Sequence, residues 1–126
     1  MRKLTFCGRF FDIGDGICSI VELTGHKSVY FNSPTEAVRE IESNSKKYNA
    51  VFTDLRMPEM NGEEVIRRIR KVTKDTPIVI ITGTRGIFAT RDLVSLNIPS
   101  LIEKPFEMKD IELAVELIQE KYFAQE

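Results

Sequence analysis

The sequence predicts an α/β domain, a doubly wound (βα)5 arrangement in which a parallel sheet is covered by helices on both faces. Three observations carry that prediction. Apolar runs rich in β-branched residues alternate with helical patterns from one end of the chain to the other. One of these runs, Ile78 to Ile81, is uninterrupted Ile and Val, the composition of a central strand buried on both faces. Three of the runs stop at a polar residue beside a turn: Asp54, Thr82 and, before Pro105, Lys104.

Taken in order, the strands are expected at Lys3 to Cys7, Lys27 to Phe31, Ala50 to Thr53, Ile78 to Thr82 and Ser100 to Glu103, with five helices between and after them. A first helix from about Phe11 to Leu23 is the least regular. Gly14 and Gly16 lie inside it and each costs about 1 kcal/mol relative to Ala, so it is expected to start late or to be locally distorted. The second helix has a complete start signal, Ser33 as N-cap, Pro34 at the first helical position and Glu36 three residues after the cap, with Ala37, Val38 and Ile41 facing inward. The third follows Asn61-Gly62 and buries Val65, Ile66 and Ile69. Its basic run of Arg67, Arg68, Arg70 and Lys71 is expected to be a solvated face, balanced by Glu63 with Arg67 and Glu64 with Arg68. The last helix repeats Ile111, Ala114, Val115, Ile118 and Tyr122. Leu113 and Leu117 widen that stripe beyond one sheet face, and core packing is preferred over a partner surface for them.

Composition narrows the function classes. At 126 residues the chain is expected to be one domain, residues 1–126, with a single core. With 18 basic against 19 acidic residues it offers no broad positive field, so direct nucleic-acid binding is not expected. No apolar run reaches the roughly 20 residues of a membrane span, and the start, MRKLTFCGRF, is too short and polar for a signal peptide. A cytoplasmic protein is therefore expected. Cys7 and Cys18 lack metal-site spacing and read as two core thiols.

In an open parallel sheet, ligands bind outside the carboxyl ends of the strands. Asp54, Thr82 and Lys104 all stand at such ends. Singly, each has an ordinary reading: a turn residue, a β-former and a surface lysine whose stem lies on apolar surface. Together, a carboxylate, a hydroxyl and an ammonium suit phosphoryl transfer, which depends mainly on positioning and charge stabilisation.

The motifs DLRMPEMNG after the third strand, I-T-G after the fourth and E-K-P-F after the fifth resemble, in order and over the whole length, the receiver domain of bacterial response regulators (CheY-like). That resemblance implies a flavodoxin-like fold with strand order 2-1-3-4-5 and a signalling module rather than an enzyme. It implies Asp54 as the phosphoacceptor, Thr82 and Lys104 as the groups binding the phosphoryl oxygens, Gly83 leaving room for them, and a cis Lys104-Pro105 bond that aims the lysine. It further implies a Mg²⁺ cofactor held by Asp54 and the backbone carbonyl of Arg56, a histidine kinase or phosphotransfer protein as donor docking on the first helix and the loop after Lys104, and a downstream protein target. The output surface would be the fourth helix, fifth strand and fifth helix, which is also the surface for a homodimer.

Two departures from the family pattern are visible. Where the family carries two adjacent acids at the end of the first strand to hold the metal, this chain reads Gly8 and Arg9. Mg²⁺ binding is thus expected to be weak, with Asp12 as a replacement ligand. Alternatively the Arg9 guanidinium substitutes for the metal beside Asp54, an attraction on the order of 4 kcal/mol at 4 Å before desolvation. In the fifth strand Leu101 stands where receivers often carry an aromatic that couples to the hydroxyl residue. Arg56, two residues after Asp54, is placed to shield an acyl phosphate from water.

Two functions follow. The first is a response regulator phosphorylated on Asp54 that relays its signal through a protein contact. The second is a pseudo-receiver, an interaction module that works without phosphorylation. A flavodoxin-like FMN protein on the same topology is disfavoured, because CGRFFDIGDG lacks a Ser/Thr-rich phosphate loop.

Overall fold

The structure, a computed structural model, describes residues 9–13, 17–54, 60, 62–83 and 95–120, with the backbone alone for 9–12 and 62. Its elements are β1 (Arg9–Ile13), α1 (Cys18–Leu23), β2 (Lys27–Phe31), α2 (Pro34–Asn44), a 3-10 turn (Ser45–Lys47), β3 (Ala50–Asp54), α3 (Gly62–Val72), β4 (Ile78–Thr82), β5 (Ser100–Glu103) and a last helix (Met108–Ile118). The strands form one parallel sheet in the order β2-β1-β3-β4-β5. α1 and the last helix pack on one face, α2 and α3 on the other.

Side-chain alternation along the strands divides the core into two layers. On the α2/α3 side lie Ile13, Val51, Ile78 and Ile80 with Ile41, Val65, Ile66 and Ile69. On the other side Phe52, Val79 and Ile81 meet Ile17, Val21, Ile111 and Val115. β3 and β4 are buried at every position, as an all-apolar central strand requires. α2 starts as its sequence predicts, with the Glu36 amide donating to Ser33 Oγ at 3.3 Å.

The first strand is the main correction. It runs from Arg9 to Ile13, not from Lys3 to Cys7, and so takes up Phe11 and Asp12, residues assigned to the start of the first helix. The run FF-D-I alternates around a buried Ile13, which suits a strand between two neighbours better than a helix weakened by the glycines that follow. α1 accordingly starts only at Cys18. Cys7 and Tyr122 lie outside the described residues, as do residues 84–94, where the fourth helix is expected. Cys18 is half-buried and accepts a hydrogen bond from Ser28 Oγ at 3.1 Å.

On α3, Glu63 pairs with Arg67 at 2.7 Å as expected, but Arg68 turns to Glu42 of α2 at 3.5 Å rather than to Glu64. Arg70 is not a solvated charge. Its Nε donates to Leu96 O at 2.8 Å, Nη1 to Thr76 O at 2.8 Å and to Thr73 O at 3.2 Å, and Nη2 to Asn97 O at 3.0 Å. Leu113 and Leu117 are 52% and 38% exposed, so the packing role preferred for them does not hold; the buried stripe of the last helix is Ile111, Ala114, Val115 and Ile118.

Candidate functional site

The carboxyl ends of β3, β4 and β5 converge because parallel pairing sets them in step: Asp54 lies opposite Ile81, and Thr82 opposite Glu103. Asp54 closes a fully buried strand, is itself only 8% exposed, and its Oδ2 takes the Lys104 ammonium in an ion pair. A buried carboxylate needs such a partner, since desolvation otherwise disfavours its charged form. Thr53, the preceding residue, turns its hydroxyl to the Asp54 carbonyl at 3.0 Å.

Thr82 is fully buried at the end of β4, and its carbonyl accepts the Lys104 amide at 2.8 Å. The lysine is thereby fixed by its backbone to the threonine and by its side chain to the aspartate. The Lys104-Pro105 bond is cis. Gly83 follows Thr82 and is exposed; a Cβ there would meet only Lys104 Cβ, at 3.9 Å, so the surrounding described atoms do not themselves demand glycine. Asp54, Thr82, Gly83 and Lys104 thus stand together at the carboxyl ends of neighbouring strands, and an anion attached to Asp54 would meet an ammonium.

Other expected site residues are placed differently. β1 pairs with β3 from Phe10 opposite Ala50 to Ile13 opposite Thr53, one position before Asp54. Arg9 opens β1 opposite Lys27, about five residues of strand, or roughly 16 Å, from the level of Asp54. That exceeds the reach of a salt bridge, and Arg9 does not substitute for a metal. Gly8 likewise does not mark the strand end. The strand ends on buried Ile13, with Asp12 one position earlier opposite Phe52. Arg56 lies outside the described residues, as does the side chain of Asp12. Among the described residues no group of three or more metal-binding side chains comes together. Asp54 fits a hard divalent cation as one carboxylate ligand, while Ile13 offers it no oxygen side chain.

Comparison with known proteins agrees with this geometry. The family model "Response regulator receiver domain" matches residues 12–116. The response regulator receiver protein CpdR of Brucella abortus is 26% identical over 111 residues, covering 88% of this chain and 91% of that protein. Several other curated relatives are longer, and the chain spans only 21% to 47% of their length. Among solved structures, a response regulator receiver domain protein from Clostridium thermocellum superposes with a TM-score of 0.81 at 22% identity, covering 90% of this chain and 95% of that one. The receiver domain of sensor histidine kinase PA1611 from Pseudomonas aeruginosa, solved with a magnesium ion in its active-site cleft, gives 0.73 at 19% identity over 91% and 97% of the two chains. With the match covering most of the chain and the acid, hydroxyl and lysine gathered at one sheet edge, the chain belongs to the response regulator receiver domain family.

Proposed function

We propose that this receiver takes a phosphoryl group on Asp54 from a histidine kinase or phosphotransfer protein and passes the signal on through a protein contact. The observation that carries the reading is the Asp54–Lys104 ion pair held beside Thr82. An Asp54 carboxylate oxygen attacks the phosphorus of a phosphohistidine; the O–P bond forms, the P–N bond breaks, and the imidazole keeps the electron pair and takes a proton. Lys104 already lies on the attacked carboxylate and moves to a phosphoryl oxygen as negative charge accumulates there. The Thr82 hydroxyl donates to another.

A Mg²⁺ ion at Asp54 would supply further positive charge when bound. Asp12 and the Arg56 carbonyl are the other candidate ligands, and with apolar Ile13 at the strand end its affinity is proposed to be low. For output, the exposed Leu113 and Leu117 line a groove of about 500 Å³ along β5 together with Leu101 and Pro105. This supports a protein target, or a second copy, on that face.

The apolar end of β1 also favours a second reading, an interaction module that is never phosphorylated. Intact mass after incubation with acetyl phosphate, with and without Mg²⁺, separates the two. A gain of one phosphate that Asp54→Asn abolishes supports the phosphoacceptor; no gain under any condition supports the interaction module.

A further inference from the structure

β3 carries one polar side chain besides its terminal acid, that of Thr53, and it is fully buried. Parallel pairing sets it between Ile13 of β1 and Ile80 of β4, both fully buried in the core layer that α2 and α3 cover. A valine would fill this place with the same shape and no polar atom. A hydroxyl taken from water into such a layer is unfavourable unless it is hydrogen-bonded. Its one hydrogen bond among the described residues runs to the main-chain carbonyl of Asp54, at 3.0 Å. The hydroxyl therefore holds the main chain of the residue whose carboxylate takes Lys104.

Alternation along the strand directs Thr53 to the α2/α3 face and Asp54, level with Ile81, to the other. The Asp54 carbonyl is thus drawn toward the face away from its own carboxylate. A carbonyl oxygen is the negative end of a peptide dipole. Turned toward the carboxylate it would repel an incoming phosphoryl group; bonded to the Thr53 hydroxyl it is partly neutralised and kept away. The same bond restrains rotation about the Asp54 main chain, and the carboxylate moves with that main chain. We propose that Thr53 is a positioning residue for phosphoryl transfer, its hydroxyl fixing Asp54 so that the carboxylate and not the carbonyl faces the phosphorus. This role rests on Asp54 being the phosphoacceptor. Thr53 touches neither donor nor phosphoryl group, and acts because attack on phosphorus tolerates little misplacement of the attacking atom.

Two variants separate the hydroxyl from the packing. Thr53→Val keeps the shape and removes the donor, whereas Thr53→Ser keeps the donor and leaves a methyl-sized gap between Ile13 and Ile80. Labelling of Asp54 by acetyl phosphate is followed by intact mass at one Mg²⁺ concentration, and urea unfolding gives the stability of each protein. The expected rate falls about fivefold in Thr53→Val, the order of one lost hydrogen bond, and stays within about twofold of the parent in Thr53→Ser. The serine variant is nevertheless the less stable of the two, so rate and stability change in opposite orders. In the unlabelled proteins the carbon NMR signal of the Asp54 carbonyl shifts with valine and holds with serine. Labelling of Thr53→Val at the parental rate would overturn the role, as would an unmoved carbonyl signal in that variant. Rates that follow the stabilities would also overturn it, leaving Thr53 a packing residue only. A parent that gains no phosphate, like Asp54→Asn, would instead overturn the proposed function, and this role with it.

Discussion

Arg70 near the end of α3 donates from Nε to the Leu96 carbonyl at 2.8 Å, joining the third helix to the segment that leads into β5. The same guanidinium serves the carbonyls of Thr73, Thr76 and Asn97, and Asn97 Nδ2 donates in return to Lys74 O at 3.3 Å. Asn97 holds a positive φ of 58°, a conformation asparagine tolerates better than most residues. One planar fork thus satisfies four acceptors that have no strand partner. Arg70→Ala is expected to cost roughly 2–3 kcal/mol, because charge-assisted hydrogen bonds are lost and carbonyls are left to water. Arg70→Lys should recover less than half, since a point charge cannot reproduce the fork. Urea unfolding of the three proteins measures both.

Tyr48 is buried, and its hydroxyl donates to Glu40 Oε2 at 2.6 Å, holding that carboxyl below its usual range. A depressed carboxyl contributes stability above its unfolded value of 4.5, which is lost as pH falls through the folded value. Tyr48→Phe is expected to cost about 1 kcal/mol at neutral pH and progressively less in acid. Unfolding at pH 7 and pH 3.5 would show it; an equal cost at both would mean the carboxylate is not the partner that matters.

His26 gives the same sign for a different reason, since its charged form is penalised in the fold rather than its charge being held by a partner. Burial pushes its pKa below 6.5, against the partly compensating bond to Gln119 at 3.2 Å. The unfolded chain therefore binds this proton first. Stability is full above pH 6.5 and declines as pH drops below it, levelling once the folded-state value is passed. As the sequence has one histidine, its imidazole signal can be followed through the titration without assignment ambiguity. His26→Gln should remove the slope between pH 6.5 and 5, and persistence of the slope would assign it to other groups.

Gly83 offers a way to separate folding from chemistry at the acceptor site. With no described atom nearer than 3.9 Å to a new Cβ, Gly83→Ala should unfold within about 0.5 kcal/mol of the parent. On the proposed function, the methyl group crowds the phosphoryl oxygens and slows labelling of Asp54 by about tenfold, near 1.4 kcal/mol in the barrier. Labelling at the parental rate would show that the small residue has no part in the step.

Four of the five strands were legible in the sequence because each has a run of alternating or wholly apolar residues between turn signals, as in Lys27–Phe31 and Ile78–Thr82. Asp54, Thr82 and Lys104 were legible as strand ends for the same reason. β1 was not, since two candidate runs, KLTFC and RFFDI, lie only a residue apart, and pairing with Ala50–Thr53 decides between them. That shift carried Arg9 from beside Asp54 to the far end of the sheet. The Arg70 clamp was hidden for another reason. Its acceptors are main-chain carbonyls up to 27 residues away, and no side-chain pattern records them. Arg68 went to α2 because Glu42 is brought near by helix packing, which local spacing cannot anticipate.

The three polar groups of the acceptor site do not hang from equally secure supports. Asp54 and Thr82 end two strands that have a neighbour on each side, whereas Lys104 follows directly on β5, which is bonded on one side only. Edge strands are the first to detach in sub-global opening, and interior ones exchange their amide hydrogens last. The acid and the hydroxyl accordingly belong to the slowest-breathing unit of the sheet, and the ammonium can leave the carboxylate by loosening of a single margin while the interior stays closed.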